Sequence, residues 1–354
     1  MQLNSWMVHG VGGPMLREPR EEQPGPGEVM VAVAGCGVCH TDLGFFYEGV
    51  PTRHPFPLTL GHEISGTVVE AGAGAEGWLG RAVVVPAVLP CGECDACRAG
   101  RGPICPRQVF PGCDVHGGFG SHVRVPGRGL CAVPTERQEA AGVDLAALAV
   151  IADAVSTPYQ AILRSGLAAG DLAVFVGAGG VGGFGVQIAA ALGACVAAID
   201  VRQDRLEKIA PFGAALTLDA AALDLKQLRL KIRALADSRG IPTWRMRIFE
   251  TSGTPAGQAT AFGLLGHGSL LSVVGFTPKP VELRLSNLMA FDAVAQGNWA
   301  CLPEYYPAVL ELVLSGKVAL APFVEPRPMS RINEVFAELR AGGGLRRIVL
   351  VPER

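Results

Sequence analysis

Residues 172–200 read LAVFVGAGGVGGFGVQIAAALGACVAAID, and the pattern changes character three times along the way. Leu172–Val176 has no polar residue, as in a strand buried on both faces. Gly177–Gly182 is a turn that carries Gly177, Gly179 and Gly182 in G-x-G-x-x-G spacing. Gly183–Leu192 then reads as a helix and Cys195–Asp200 as a second apolar strand. Together they make one βαβ unit of a parallel sheet. Its glycines let backbone approach a pyrophosphate, and the free N–H groups and dipole of the helix start favour that anion. Gly177, Gly179, Gly180, Val181 and Gly182 are therefore the expected dinucleotide-binding turn. Asp200 closes the second strand near the offset where an acid meets the ribose. A carboxylate there accepts from a 2′-hydroxyl and repels a 2′-phosphate, so NAD is expected rather than NADP. Arg202 pulls the other way, as a solvated cation that accepts such a phosphate.

Outward from this unit, Leu216–Leu218, Met246–Glu250 and Ser269–Val274 read as further strands. Arg202–Phe212, Leu225–Arg239 and Ala256–Leu265 read as helices. Residues 1–150 are different: rich in Gly, Pro and Val, with short alternating runs at Glu28–Val33, Ile64–Glu70, Ala82–Val85 and Ser121–Val125. After the parallel sheet, Pro303–Ser315 and Ile332–Arg340 read as amphipathic helices and Arg347–Val351 as a closing strand. The fold class is α/β: a β-rich domain over 1–155 and 299–354, interrupted by a doubly wound parallel-sheet domain over 156–298.

Apolar residues make up 49 % of the 354, and the net charge is −2, which argues against a general nucleic-acid binder. No apolar run is read as a membrane span, and the N-terminus lacks a signal-peptide profile. A cytoplasmic protein is expected. Cysteines clustered in a reducing compartment are metal ligands before they are disulfides. Four stand at Cys91, Cys94, Cys97 and Cys105 in PCGECDACRAGRGPIC, the spacing of a closed tetrahedral zinc site that holds structure. An oxidised lobe is the alternative. Cys36, Cys113, Cys131, Cys195 and Cys301 are expected to be small buried residues.

A catalytic zinc needs about three protein ligands and one exchangeable position. Cys39, His62, Glu63 and Asp153 offer a thiolate, an imidazole and two carboxylates. The segments GCGVCHTD, GHEISGTVVEAG, the four-cysteine lobe and the glycine turn resemble the zinc-dependent medium-chain alcohol dehydrogenases, in their order and at their spacings. That resemblance implies a GroES-like catalytic domain beside a Rossmann domain, one catalytic and one structural zinc, and hydride transfer from an alcohol to the nicotinamide. It makes Cys39 and His62 ligands and puts Asp153 where many relatives carry a cysteine. A carboxylate keeps the charge but is a harder ligand. Glu63 is expected behind the metal or exchanging onto it; the alternative is that Glu63 binds permanently and Asp153 is a hydrogen-bonding bystander. Thr41 aligns with the hydroxyl that takes the alcohol proton. Gly44 replaces the histidine that ends the relay in many relatives, leaving water, the cofactor ribose, Tyr47 or His54 for that step. His40 matches a pyrophosphate contact, Arg205 an adenosine-ribose contact and Thr157 a nicotinamide neighbour. Val274 and Phe276 match the backbone pair for the carboxamide.

Four further stretches, VIADAVSTPYQA, RIFETSG, LMAFDAVAQGNWAC and YYPAVLELVLSGKVALAPF, resemble dehydrogenases of cyclic hydroxyacyl thioesters in anaerobic aromatic degradation. The implied substrate is a cyclic secondary allylic alcohol on a coenzyme A thioester. Lys226, Arg229, Lys231, Arg233, Arg239, Arg245 and Arg247, or Arg53 and His54, are the candidate cations for its phosphates. A simple allylic, benzylic or polyol alcohol is the alternative substrate, and a non-catalytic nucleotide sensor the alternative of another class. A homodimer or homotetramer is implied by the resemblance.

Overall fold

A computed structural model describes residues 1–353. The chain forms two compact units: Met1–Ser156 together with the chain from Ala300 onward, and Thr157–Trp299.

The larger sheet of the first unit runs, neighbour to neighbour, Val324–Pro328, Arg347–Val351, Glu28–Gly37, Glu63–Ala71, Ala82–Val85 and Cys131–Ala132; His122–Pro126 also pairs with Glu28–Gly37. β-branched side chains fit this pleated, half-buried surface. They join one core that includes Val31, Ile64, Val83, Phe119, Val123 and Ile348. A smaller sheet joins Leu16–Glu21, Gln2–Val8 and Leu58–Thr59. The register of the larger sheet positions the site. Gly37 stands opposite Val349 on one side and opposite Glu63 on the other. Three segments far apart in sequence thus end side by side.

The second unit is one parallel sheet in the order Leu216–Asp219, Cys195–Asp200, Leu172–Val176, Met246–Glu250, Leu270–Val273, Val294–Gly297. Numbered within the unit this is 3-2-1-4-5-6, with the switch point beside Leu172–Val176, where such sheets take ligands. All five residues of that strand are buried, and Phe175 stacks on Phe249 of its neighbour at 4.7 Å between ring centroids. The helix Leu225–Ser238 starts on a reciprocal cap: Asp224 accepts from Gln227 N–H at 2.7 Å, and Gln227 accepts from Asp224 N–H at 2.9 Å.

Several elements differ from the sequence reading. The stretch 202–212 splits into a helix Gln203–Ile209 and a 3₁₀ turn Ala210–Phe212, because Pro211 has no N–H to continue the ladder. The helix His40–Tyr47 was missed in the β-rich part; Asp42 to Phe46 are all buried, so it has no amphipathic period to read. The stretch Ala146–Arg164 has the length and mean hydropathy, 1.4, of a membrane span, but 78 % of its most apolar window is buried inside the protein, as in a core helix. Four of the five unassigned cysteines are buried, and Cys195 is half-buried.

His116 gives the first unit an acid-sensitive point. Its Nδ1 accepts from Thr59 N–H at 3.2 Å, which requires the neutral ring. Burial, together with Arg20, His54 and Arg124, pushes its pKa from 6.5 down to about 3. The unfolded chain takes up that proton first. The stability His116 contributes is therefore complete above about pH 6.5 and is lost as the pH falls toward 3. His116→Asn keeps the acceptor without the titration. Its denaturation midpoint should fall less than that of wild type between pH 7 and pH 5; an equal fall would contradict the assignment.

Candidate active site

The four cysteines of the 91–105 segment converge. Cys94 Sγ lies 3.5 Å from Cys97 Sγ and 3.6 Å from Cys105 Sγ, and Cys91 Sγ lies 3.9 Å from Cys97 Sγ. A tetrahedron with zinc–sulfur bonds of about 2.3 Å has sulfur–sulfur edges of about 3.8 Å, so this set fits a closed zinc site. The thiols of the lobe differ: burial pushes Cys97 up to about 12. The Glu93 N–H is the largest influence on the Cys91 thiol, which is held down at about 6.

A second donor set brings together Cys39, His62 and Asp153, with all three donor atoms within 4.8 Å of one another. Asp153 Oδ2 is 3.5 Å from Cys39 Sγ and 3.6 Å from His62 Nε2. Zinc with sulfur, nitrogen and oxygen ligands at ordinary lengths needs edges of about 3.3–3.5 Å, so these residues fit the metal as well. Three protein donors leave one position open. Thr41 stands at the edge of the set, its Oγ1 3.6 Å from Cys39 Sγ.

One carboxylate that the sequence reading left without a role orients two of the donors. Asp42 is fully buried; its Oδ2 accepts from Cys39 N–H at 2.9 Å. Its Oδ1 accepts from Gly61 N–H at 3.2 Å and faces His62 Nδ1 at 3.2 Å. Burial, the largest single influence, would push the His62 imidazole down, but Asp42 together with Asp153 and Cys39 holds it well above its ordinary value. A carboxylate behind the far ring nitrogen is the usual support of a metal-binding histidine. The available signal was Asp42 three residues after Cys39, on the first turn of a helix that Cys39 caps.

Glu63 does not join the triangle. Its carboxylate makes a two-pronged pair with Arg347, Oε2 accepting from Nε at 3.0 Å and Oε1 from the NH2 group. Glu63 Oε1 also accepts from Ala154 N–H at 3.1 Å. Both partners are buried. Burial would push the Arg347 guanidinium down, but the Glu63 carboxylate, followed by Cys39, keeps it above its ordinary value. The same guanidinium lies 4.0 Å from Asp153 Oδ2. Gly37, opposite Glu63, has to lack a side chain, since a Cβ there would fall 2.0 Å from Glu63 Oε2. Arg347 was also missed as a site residue; it was read only as the start of a closing strand. The two side-chain candidates for the end of the proton relay are engaged elsewhere. Tyr47 packs on Phe46 and under the Arg340 guanidinium, and His54 bonds the Pro55 carbonyl through Nδ1.

In the second unit the glycine turn joins the strand Leu172–Val176 to a helix that begins at Gly180. Gly177 has φ +100°, and a Cβ there would meet the Ser252 backbone at 2.6 Å, so only glycine fits. Asp200 ties its strand to this turn: Oδ2 accepts from Ala178 N–H at 2.7 Å and Oδ1 from Arg202 N–H at 2.9 Å. Arg205 NH1 stands 3.6 Å from the same carboxylate. Arg202 stays partly exposed, and its guanidinium pairs with Asp204 at 2.6 Å. Val274 N–H is taken by the Glu250 carbonyl at 2.9 Å, and Phe276 is exposed. Thr157 is buried, its carbonyl accepting from Asn298. His40, in the first unit, is exposed at the start of its helix.

Residues 25–135 match the alcohol dehydrogenase GroES-like domain family, and residues 180–315 the zinc-binding dehydrogenase family. The 2-dehydro-3-deoxy-L-galactonate 5-dehydrogenase of Pseudoalteromonas atlantica is 31 % identical over 328 residues, 89 % of each chain. An alcohol dehydrogenase of Geobacillus stearothermophilus is 28 % identical over 338 residues, 95 % of this chain and 94 % of that one. The solved structure of the alcohol dehydrogenase from the hyperthermophilic archaeon Aeropyrum pernix has a TM-score of 0.87 at 29 % identity, covering 99 % of this chain and 100 % of that one. The chain belongs to the zinc-dependent medium-chain alcohol dehydrogenase family. It is an oxidoreductase acting on CH–OH groups, with zinc and a nicotinamide dinucleotide as its cofactors.

Metal analysis of single variants separates the two donor sets. Cys39→Ser should abolish turnover and leave one zinc in a folded chain, whereas Cys94→Ser should lower the melting temperature; an active metal-free wild type would contradict both. Glu63→Gln removes the charge that answers buried Arg347. It should cost about 3 kcal/mol of stability in denaturant titration, as expected for breaking a buried pair. A variant as stable as wild type would show that the pair is not holding the unit together.

Proposed function

We propose that the enzyme oxidises a secondary alcohol to a ketone and passes the hydride to NAD. Cys39, His62 and Asp153 hold the catalytic zinc, and Cys91, Cys94, Cys97 and Cys105 the structural one. Zinc, when bound, supplies the Lewis acidity that makes a substrate hydroxyl acidic near neutral pH. The donor triangle, with Thr41 at its edge, is the observation that carries this reading. The Thr41 hydroxyl accepts the alcohol proton as the C–H electron pair leaves with hydrogen as hydride. With Gly44 in place of a histidine, water or the cofactor ribose completes the relay. The protein is a cytoplasmic homodimer or homotetramer in this reading, a compartment consistent with ten unpaired thiols.

The alcohol we propose is 6-hydroxycyclohex-1-ene-1-carbonyl-CoA, oxidised to its 6-oxo product in anaerobic benzoyl-CoA degradation. Resemblance over residues 150–161, 247–253, 288–301 and 305–323 supports it. The basic stretch gives less support than its charge suggests. Arg229 bonds the Gly263 carbonyl, Arg245 pairs with Asp171 and Arg247 bonds the Ser165 carbonyl. Those three hold the fold, which leaves Lys226, Lys231 and Arg239 as the cations of that stretch without such a tie, Arg233 being paired with Asp237. This loss, and the sugar-acid name of one relative, favour the second reading, a simple allylic, benzylic or polyol alcohol. A screen of NADH formation decides: the CoA ester should exceed its free acid and simple alcohols in kcat/KM by at least about tenfold, the factor that 1.4 kcal/mol of extra binding gives. Equal efficiencies would favour the simple alcohol.

Asp200 supports NAD, since a 2′-phosphate would meet its charge and Arg202 is already paired. Juxtaposed like charges cost several kcal/mol, so the preference over NADP should exceed about 100-fold in kcat/KM. Asp200→Gly should shrink it; a wild type that uses both equally would show the ribose assignment wrong.

A further inference from the structure

The segment Ala152–Asp153–Ala154 is held on both sides of the carboxylate it carries. It lies where the 3₁₀ run Ala146–Ala152 stops, ahead of the helix Ser156–Arg164. On the far side, Ala154 N–H is bonded to Glu63, as described above. On the near side, the Ala152 carbonyl accepts from the Tyr306 hydroxyl at 2.5 Å, from the Ser156 hydroxyl at 3.2 Å and from Ala87 N–H at 3.4 Å. The Tyr306 oxygen also accepts from Ala87 N–H, at 3.2 Å. Tyr306 is fully buried at the first position of the helix Tyr306–Leu314. A buried phenol is costly unless its hydroxyl is answered. Here its donor is spent on the peptide immediately before Asp153.

We propose that Tyr306 is a positioning residue for the catalytic metal, its hydroxyl fixing the Ala152–Asp153 peptide so that the Asp153 carboxylate stays beside Cys39 and His62. The inference rests on Asp153 being a ligand. The chemistry of that ligand gives the reason for the brace. A carboxylate reaches its metal through one more bond and one more torsion than a thiolate. Its placement therefore depends more on where its backbone is held. Glu63 holds one end of the segment and Tyr306 the other, while neither contributes to the donor triangle.

The test follows metal release from the holoenzyme to a chelator, resolved for the two sites, with visible spectra of the cobalt-substituted protein. Tyr306→Phe removes only the hydroxyl. It should release the catalytic metal about tenfold faster, the low end of what outer partners of metal ligands contribute, and shift the cobalt bands. The four-cysteine site should release at the wild-type rate. Ser156→Ala should act in the same direction with smaller effect, and it decides by the same criteria if Tyr306→Phe does not fold. Wild-type release and bands in the variant, or parallel loss of both metals, would overturn the proposal. Asp153→Asn is the control. If it keeps its metal like wild type, the ligand assignment falls and this inference with it. If it loses the metal while Tyr306→Phe does not, the positioning role alone falls.

Discussion

The first unit is organised around one buried ion pair, Glu63 with Arg347. Its two residues are 284 positions apart and meet only because the C-terminal strand lies beside Glu28–Gly37, which lies beside Glu63–Ala71. Burying two charges is costly unless each is fully answered. Here the carboxylate is answered by the two prongs of the guanidinium and by Ala154 N–H. The pair thus ties together the two strands that flank Glu28–Gly37, fastens the segment bearing Asp153 and occupies Glu63. A carboxylate held this way stands apart from the donor set of Cys39, His62 and Asp153. Arg347 also adds a positive charge near a donor set that carries a thiolate and a carboxylate.

What was legible in the sequence was local. The glycine turn is read from a dozen consecutive residues, and the four cysteines lie within one short lobe, so spacing alone brings each set together. Strands such as Leu172–Val176 and Ala82–Val85 have the ends their apolar runs suggest, because burial leaves no room for polar residues; Cys195–Asp200 and Met246–Glu250 also keep the bounds read for them, although they carry Asp200, Arg247 and Glu250. Asp42, Arg347 and Tyr306 were not legible as site residues. Asp42 acts through backbone N–H groups on two segments, Arg347 through sheet register, and Tyr306 through a carbonyl 154 residues away. None of these leaves a local pattern. The pairing of Arg202 with Asp204, two residues on, was also not legible, since only side-chain geometry decides whether such neighbours pair.

The two units divide the chemistry by the kind of order each provides. The parallel sheet offers a switch point, a glycine turn and a carboxylate tied to that turn, which is backbone recognition of a dinucleotide. The first unit, mostly antiparallel, offers side chains braced from behind: Asp42 behind Cys39 and His62, Glu63 and Tyr306 on either side of Asp153. Preorganisation of this kind is what a metal site with an open position requires, since the open position contributes no rigidity of its own.

The central claim is that Asp153 is the third ligand while Glu63 stays on Arg347. A crystal structure of the zinc-loaded enzyme, with anomalous maps at the zinc edge, tests it most directly. The account predicts a peak bonded to Cys39 Sγ, His62 Nε2 and an Asp153 oxygen at about 2.0–2.3 Å, with the Glu63–Arg347 pair intact. A peak bonded to Glu63, with Asp153 turned away and Arg347 released, would contradict it.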